Sequence, residues 1–512
     1  MNSDRHRHNV RFGAGPFALI VLLSAIYFIS SRPAVDSDYG WHIANGRHVA
    51  DGALFAGRDI YSWTAQGARW IVHEWLTDAA MSAAHDRIGP TLNSIFAALL
   101  VTTAFALVAI RLRKRAYKWT PTLITIGLAF FSSVMSLGVR PQVLELVYMA
   151  SVLLLVDTWF RGRIPILSFY VAVAFLSVLW ASTHGSFLLL PAMLFALSAG
   201  LAISGDPRWL SASFAALLAL MTALVNPWGF ELYSFATQSI TSQTTLQSIQ
   251  EWQRPNLFSG SLIPFVAELV LIVCAIPLVI GQMLRPPLKR QTVSVPHYAY
   301  RALLLGDVFI TVPIAILGVK SGRHVMLAGI CGAPLVAVSI ESAWRFIKKR
   351  LSFFSKTRTA PKSTVDSRSR DIINAIAAAA VAIAIIFQTW GIVSPNAQRA
   401  AILRRYPIGT VSFLENANPP NLRLLNKYDW GGFIIERGIL KVFIDGRSEV
   451  YGDRQLARYG SIIHLQPGWD EKLDSLGVNF VLMDRNAPLV TALRAKGWSE
   501  VARDTVGTLL RR

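Results

Sequence analysis

Long apolar stretches separated by short polar connections make up most of the first 394 residues. A helix needs about 20 apolar residues to cross roughly 30 Å of hydrocarbon, and about eleven stretches approach that length. The pattern therefore predicts about eleven transmembrane helices. They fall at 13–31, 91–110, 119–138, 141–159, 164–182, 184–204, 208–226, 261–283, 298–318, 323–343 and 372–392.

The pattern changes after residue 394. From about 395 to 512 the sequence is polar, and short β-like runs at Lys441–Asp445 and Phe480–Asp484 alternate with helical patterns. Another strand-like stretch ends the chain. Such alternation predicts a small α/β domain, which we call the tail. The fold class expected is an all-α polytopic membrane protein (a transmembrane module at 1–394) with this α/β domain at 395–512.

Composition agrees with a membrane protein. The chain is 53% hydrophobic and 16% charged, whereas soluble domains contain about 25% charged residues. Its net charge of +20 would suggest nucleic acid in a soluble protein, but in a membrane protein basic residues collect in cytoplasmic connections. We therefore expect a lipid bilayer and no nucleic acid as partner.

The basic residues also predict an orientation. If the N-terminus is cytoplasmic, the even-numbered connections should be basic, and four of them are. We therefore expect the first loop, 32–90, and the tail to be extracytoplasmic, in the cell's inner (plasma) membrane. The basic residues are Arg111, Arg113, Lys114, Arg115 and Lys118; Arg161 and Arg163; Arg285, Lys289 and Arg290; and Lys348, Lys349, Arg350, Lys356, Arg358 and Lys362.

The residues that could bind a substrate or take part in catalysis fall on the predicted extracytoplasmic side. Asp36 and Asp38, the acid pair, follow the first helix closely, and carboxylates at a bilayer surface are either freely hydrated or functional. We take them as candidate catalytic residues and as candidate metal ligands. The candidate substrate-binding residues are His42, His73, Glu74, Arg140, His184, Asn226, Glu251, Lys320, Arg323 and His324.

These residue types suit an anionic, lipid-linked substrate. Arginine and lysine neutralise phosphate, and a carboxylate can deprotonate a hydroxyl acceptor or hold a divalent cation such as Mg²⁺ or Mn²⁺. Each residue also has a structural explanation, since arginines at helix ends reach lipid headgroups and tryptophans form an interfacial belt. The occurrence of all of them on one side favours a reaction centre.

Segment 70–84 of the first loop shows a helical pattern. Apolar residues at Ile71, Val72, Trp75 and Leu76 recur at helical spacing against a polar face that includes Asp78. This pattern predicts an amphipathic helix that lies flat on the outer membrane surface.

Motifs along nearly the whole chain resemble the GT-C superfamily of polytopic glycosyltransferases, in particular a poorly characterised bacterial branch. The first is Asp-x-Asp-x-x-Trp-His-Ile-x-x-Gly, in which Gly40 stands where members often carry a tryptophan. The matching segments are Asp36 to Gly46, Gly52, Asp59–Ser62, Glu74–Leu76, Arg140–Gln142, His184–Phe187, Asn226–Gly229, Glu251–Trp252, Tyr428–Gly432 and Val442–Arg447.

The resemblance implies a GT-C fold with a catalytic acid in the first loop and a polyprenyl-phosphate sugar as donor. In the superfamily the first-loop aspartate acts as general base or metal ligand, which indicates Asp36 as the base and Asp38 as second choice. The expected function is transfer of a hexosyl or pentosyl group to an extracytoplasmic acceptor in envelope glycan or glycolipid synthesis. Arg140 and Arg323, with Lys320 or His324, would stabilise the leaving phosphate.

Two other functions fit the same sequence. One is a transporter or flippase for a lipid-linked glycan intermediate, and the other is a non-catalytic envelope assembly protein. A transporter should place charged residues deep within its helices, whereas the strong charges of this chain are expected mostly at helix ends.

Overall fold

The computed structural model describes residues 13–49, 51–52, 57–241, 250–284, 297–354, 367–438 and 440–512. Among the basic residues used for the orientation, Arg285, Lys289, Arg290, Lys356, Arg358 and Lys362 lie outside these ranges.

A helix occupies each of the eleven predicted spans. Within the described residues, nine helices are long and apolar enough to cross a membrane, and two of the eleven, α1 and α9, are shorter at 17 and 14 residues. The chain is therefore a multi-pass membrane protein. Up to residue 393 the helices are α1 (Ala14–Ser30), α2 (Tyr39–Val49), α3 (Trp75–Ile88), α4 (Pro90–Lys114), α5 (Trp119–Ser133), α6 (Val143–Phe160), α7 (Ile166–Thr183), α8 (Leu189–Ile203), α9 (Trp209–Thr222), α10 (Glu231–Thr241), α11 (Ile263–Leu284), α12 (His297–Lys320), α13 (Val325–Phe354) and α14 (Ser367–Val393).

Two arginines assigned to the second connection are instead buried in the bundle. Arg111 donates to Asp157 at 3.2 Å and to Asp307 at 2.6 Å, and Arg115 donates to Asp157 at 2.6 Å and also pairs with Asp307. α4 runs on to Lys114, and buried charges need such partners because unpaired ones cost several kcal/mol. The placement of Arg111 in the connection was therefore wrong, whereas Arg115 does follow the helix. The two arginines connect α4, α6 and α12.

The helix predicted over 70–84 begins five residues later, at Trp75. Ile71 and Val72 lie before it in non-helical backbone. Asp78, assigned to the exposed face, is fully buried, where it accepts hydrogen bonds from His42 and Asn45 of α2. The predicted helix exists, but the prediction that Asp78 lies on its exposed face was wrong, because α2 supplies polar partners for this carboxylate.

The tail contains a four-stranded sheet with strand order β1–β2–β4–β3. β1 and β2 are parallel, and the other two pairs are antiparallel. The predicted strand at Phe480–Asp484 is present, whereas Lys441–Asp445 makes only an isolated bridge from Val442 to Ser62. The elements are α15 (Pro395–Arg405), α16 (Ile408–Ala417), β1 (Leu424–Asn426), α17 (Gly431–Arg437), α18 (Ser448–Ile463), α19 (Trp469–Ser475), β2 (Phe480–Asp484), α20 (Pro488–Ala495), β3 (Ser499–Arg503) and β4 (Gly507–Arg511).

The tail packs directly on the first loop. A Cβ atom at Gly40 would lie 2.2 Å from the carbonyl oxygen of Gly432, so α2 and α17 approach so closely that no side chain fits at position 40. Arg447 of the tail, fully buried, donates to Asp59 of the loop at 2.8 Å and to Asp445 of the tail at 2.6 Å. The loop and the tail thus share one buried interface.

Candidate active site

Asp36 lies in the turn before α2, where its backbone and side chain are both held. Its carbonyl oxygen accepts a hydrogen bond from the Tyr406 hydroxyl at 2.9 Å, and its Oδ1 accepts one from the Asp38 N–H at 3.1 Å. Its Oδ2 lies 3.8 Å from Nε of Arg140, which is longer than a hydrogen bond. One carboxylate oxygen therefore remains available to a ligand.

Asp38, the second member of the acid pair, lies between α2 and the tail. Its Oδ1 accepts from the Trp41 indole at 3.1 Å, and a Cβ at Gly446 would meet that oxygen at 1.7 Å. Burial raises the pKa of Asp38 to about 6, and the Asp36 carboxylate adds to the rise. Asp38 can therefore exchange a proton near neutral pH.

Arg140, in the connection from α5 to α6, lies between two acids. It pairs with Glu251 through Nη2 and faces Asp36 through Nε. Burial lowers its pKa, but Asp36 and Glu251 outweigh that effect and raise it. Its Nε is buried and has no hydrogen-bond partner among the described residues. A buried guanidinium N–H without a partner is costly, and an anionic oxygen between Arg140 and Asp36 would satisfy it.

His42 of α2 is held at one nitrogen by a buried carboxylate. Its Nδ1 lies 2.6 Å from Oδ1 of Asp78, and its Nε2 lies 3.9 Å from Glu74. Burial lowers the pKa of His42, but the carboxylates of Asp78, Glu74 and Asp38 outweigh it and raise the pKa to about 8. An imidazolium next to Asp38 favours the ionised form of that carboxylate.

Glu74 lies at the centre of three imidazoles. Its Oε1 is 3.4 Å from Nε2 of His184 and 3.7 Å from Nε2 of His73, and its Oε2 faces His42. Burial raises the pKa of Glu74, but the histidines and Arg323 lower it below its usual value. Glu74 is therefore ionised at neutral pH.

His184 follows α7 and connects this group to the far side of the site. Its Nδ1 lies 2.9 Å from Glu145 of α6, and Nη2 of Arg323 lies 3.3 Å from its Nε2. Arg323 also lies over the Trp252 ring, 5.2 Å from its centroid.

The remaining candidates occupy the margins of this cluster or positions outside it. The His324 ring packs edge-on against Trp252 with centroids 6.0 Å apart, and Lys320 is exposed at the end of α12. Asn226 uses its side chain within its own turn, where it donates to the Ala223 carbonyl and accepts from the Trp228 N–H at 2.7 Å. The structure thus brings the acid pair, the three histidines, Glu74, Arg140, Glu251 and Arg323 together. His324 lies at the margin, Lys320 is exposed, and the side chain of Asn226 serves its own turn.

Three acids of the site were missed as site residues. Asp78 and Glu145 orient His42 and His184, and a carboxylate in the first turn of an otherwise apolar stretch of α6 was the available signal for Glu145. Glu449 opens α18 and is exposed between buried neighbours, yet burial of its carboxyl raises the pKa to about 7. No pattern in the tail sequence indicated this residue.

The acid pair does not fit a divalent cation in this arrangement. Among the described residues, no group of three or more His, Cys, Asp or Glu side chains is placed to hold a metal ion. Asp36 faces the Arg140 guanidinium and Asp38 accepts from Trp41, so a positive charge already opposes a cation there. We therefore derive no step through a metal.

No family model and no curated protein matches the sequence. Solved structures do match its fold. ArnT from Cupriavidus metallidurans in the apo state has a TM-score of 0.49 at 14% identity, with 95% of each chain covered. The oligosaccharyltransferase AglB from Archaeoglobus fulgidus, in complex with an inhibitory peptide and a dolichol-phosphate, has a TM-score of 0.54 at 10% identity, over 91% of this chain and 69% of that one.

A second AglB structure, tethered to an acceptor peptide with the NVT sequon, gives the same TM-score of 0.54 at 11% identity, over 92% of this chain and 69% of that one. At these identities the likeness concerns the fold. Together with the membrane helices and the small C-terminal sheet, it shows that this chain has the fold of the GT-C membrane glycosyltransferases.

Proposed function

We propose that this protein is a glycosyltransferase that moves a hexosyl or pentosyl group from a polyprenyl-phosphate donor to an acceptor hydroxyl outside the cytoplasm, in envelope glycan or glycolipid synthesis. The observation that carries the proposal is the Nε of Arg140, which has no hydrogen-bond partner within the described part of the chain and lies opposite the available oxygen of Asp36. The Arg140 guanidinium, which can bind an anion, and the Asp36 carboxylate, which can act as a base, therefore face each other.

Each role follows from charge and position. Asp36 takes the proton of the acceptor hydroxyl, because its Oδ2 is the oxygen of the acid pair that faces the space beside Arg140. Arg140 and Arg323 stabilise the charge that develops on the departing phosphate, an effect that is often the largest catalytic contribution. Lys320 and His324 lie on the same connection as Arg323 and are proposed to help hold the phosphate.

The AglB structure supports a lipid-phosphate donor, since that protein was solved with dolichol-phosphate and a peptide. The positive-inside pattern supports placement in the inner membrane with the N-terminus cytoplasmic. In that orientation the acid pair, the arginines and the tail lie on the extracytoplasmic side.

The test is transfer from labelled polyprenyl-phosphate sugars in membranes that contain the protein, followed by thin-layer chromatography. Asp36→Asn should lower transfer by at least about 10²-fold, which is the usual scale for a general base. The matched control is Asp86→Asn, because Asp86 pairs with Arg47 on the protein surface, and this variant should transfer normally.

Three outcomes would contradict the proposal. Full activity of Asp36→Asn would refute the base assignment. Movement of a lipid-linked glycan between leaflets, without transfer from any donor, would favour a flippase, and neither activity would favour an assembly protein. A dependence on Mg²⁺ or Mn²⁺ stays a prediction of the sequence, and EDTA in the same assay tests it.

A further inference from the structure

The imidazole of His184 is fixed at its Nδ1 nitrogen. Oε1 of Glu145 lies 2.9 Å from this atom and the Ser186 hydroxyl lies 2.7 Å from it. That hydroxyl in turn accepts from the Trp180 indole at 3.0 Å. The backbone N–H of Ser186 also points at Nδ1 from 3.3 Å, whereas the Glu145 carboxylate can only accept a hydrogen bond. Together these contacts fix the direction in which Nε2 points.

The other nitrogen, Nε2, faces the site. It lies 3.4 Å from Oε1 of Glu74 and 3.3 Å from Nη2 of Arg323. One nitrogen thus has both an acceptor and a donor beside it, so it can hold a proton or release one. Arg323 is one of the two arginines assigned to the leaving phosphate, and Nε2 therefore lies at the edge of the phosphate position.

The charges around the ring come from three parts of the chain. Glu145 on α6 and Glu74 before α3 favour the protonated imidazole, whereas Arg323 before α13 opposes it. His73 lies on the far side of Glu74, and His324 follows Arg323. A bound phosphate would engage Arg323 and add negative charge, so donor binding favours the imidazolium at the moment when a proton donor is needed.

We propose that His184 is the general acid that protonates the departing phosphate, and that Glu145 is the positioning residue that orients it. This inference rests on the proposed glycosyl transfer. The acceptor oxygen bonds to the anomeric carbon while the bond from that carbon to the phosphate oxygen breaks, and the bonding pair stays on that oxygen. The acceptor proton goes to Asp36, and the proton on Nε2 of His184 goes to the phosphate. Proton exchange with water then returns both groups to their starting states.

A purely structural role for Glu145 is distinguishable by substitution. Glu145→Gln keeps the shape of the side chain and an oxygen that accepts from Nδ1, but it removes the charge that favours the imidazolium. A packing role would tolerate this change. An electrostatic role predicts a loss of kcat of roughly 10²-fold, with KM little changed, because general acid catalysis contributes about 10²–10⁴-fold.

The experiment compares the wild type, Glu145→Gln and the matched control Glu231→Gln, whose carboxylate pairs with Arg69 on the surface. Each is assayed against pH with two donors, a prenyl phosphate sugar and an aryl phosphate sugar whose leaving group is more acidic. The loss in Glu145→Gln should grow with rising pH, because the glutamine amide lacks the negative charge that favours the imidazolium. The loss should be at least about tenfold smaller with the aryl donor, because departure of its more acidic leaving group depends less on protonation.

Four results would overturn the inference. They are wild-type kcat in Glu145→Gln, an equal loss with both donors, a loss independent of pH, and a transition metal ion bound stoichiometrically to the wild type but absent from Glu145→Gln. The last would make His184 a metal ligand instead. An inactive wild type with both donors would refute the proposed function itself, whereas an active wild type with any of the four results refutes only the role of His184 and Glu145.

Discussion

Replacement of Gly446 by alanine tests whether the tail holds Asp38 in its working position. An added Cβ would lie 1.7 Å from Oδ1 of Asp38, whereas ordinary contact begins at 3.4 Å, so the carboxylate must retreat by at least about 1.7 Å. That oxygen accepts the 3.1 Å hydrogen bond from Trp41, and such a retreat breaks it. The substitution thus displaces the acid pair without changing its chemistry.

The expected cost has two parts. A hydrogen bond to a charged group contributes about 1.5–3 kcal/mol to stability, so the melting temperature in detergent should fall modestly. A misplacement of about 1 Å in a reacting group costs about 10²-fold in rate, so kcat should fall by about that factor or more. The catalytic loss should exceed what the small loss of folded protein explains.

The assay is sugar transfer by purified protein in lipid vesicles, with the folded fraction measured by size-exclusion chromatography. The control is Gly460→Ala in α18, the helix that follows Gly446, where a Cβ would meet nothing within 4 Å. This variant should leave both kcat and melting temperature unchanged. If Gly446→Ala transfers sugar at the wild-type rate, Asp38 does not work in the position that the tail gives it.

Two further predictions concern the same region. The transfer rate should rise with pH through about 6, because the raised pKa of Asp38 keeps its carboxyl protonated below that value. The rate should decline above about 8, because the raised pKa of His42 retains the imidazolium only up to that value. A rate that is flat from pH 5 to 9 would contradict both assignments. Arg447→Met should lower the melting temperature strongly, since the broken buried ion pairs cost about 3–5 kcal/mol, whereas Arg494→Met, at an exposed ion pair, should change it little.

Much of the fold could be predicted because apolar length and charge asymmetry are local properties of the sequence. All eleven spans contain helices. The failures came where tertiary partners override a local pattern. Arg111 and Arg115 look like loop cations until Asp157 and Asp307, distant in sequence, are brought beside them. Lys441–Asp445 has the composition of a strand, but its neighbour in space is the first loop, so it forms only an isolated bridge.

The candidate site shows the same division. The candidates on the predicted extracytoplasmic side could be found because helix connections alternate between the two ends of a bundle. Residues in the odd-numbered connections therefore lie at the same end. Glu145 and Asp78 lie within helices, and their roles depend on which imidazole each helix face meets. A single sequence does not contain that information. His42 and His184 could therefore be predicted as site residues, but the carboxylates that contact their Nδ1 atoms could not.

The closest connection between fold and chemistry runs through the tail. Gly446 lies against Asp38, Tyr406 holds the backbone of Asp36, and the Glu74 carboxylate adds to the raised pKa of Glu449. A domain that only covered the site would contact the surface of the first loop and leave the positions of the acids unchanged. Here the tail sets the position of one acid by direct contact with its carboxylate and contributes a further carboxylate of its own. The working site is therefore formed jointly by the first loop, the helix connections and the tail.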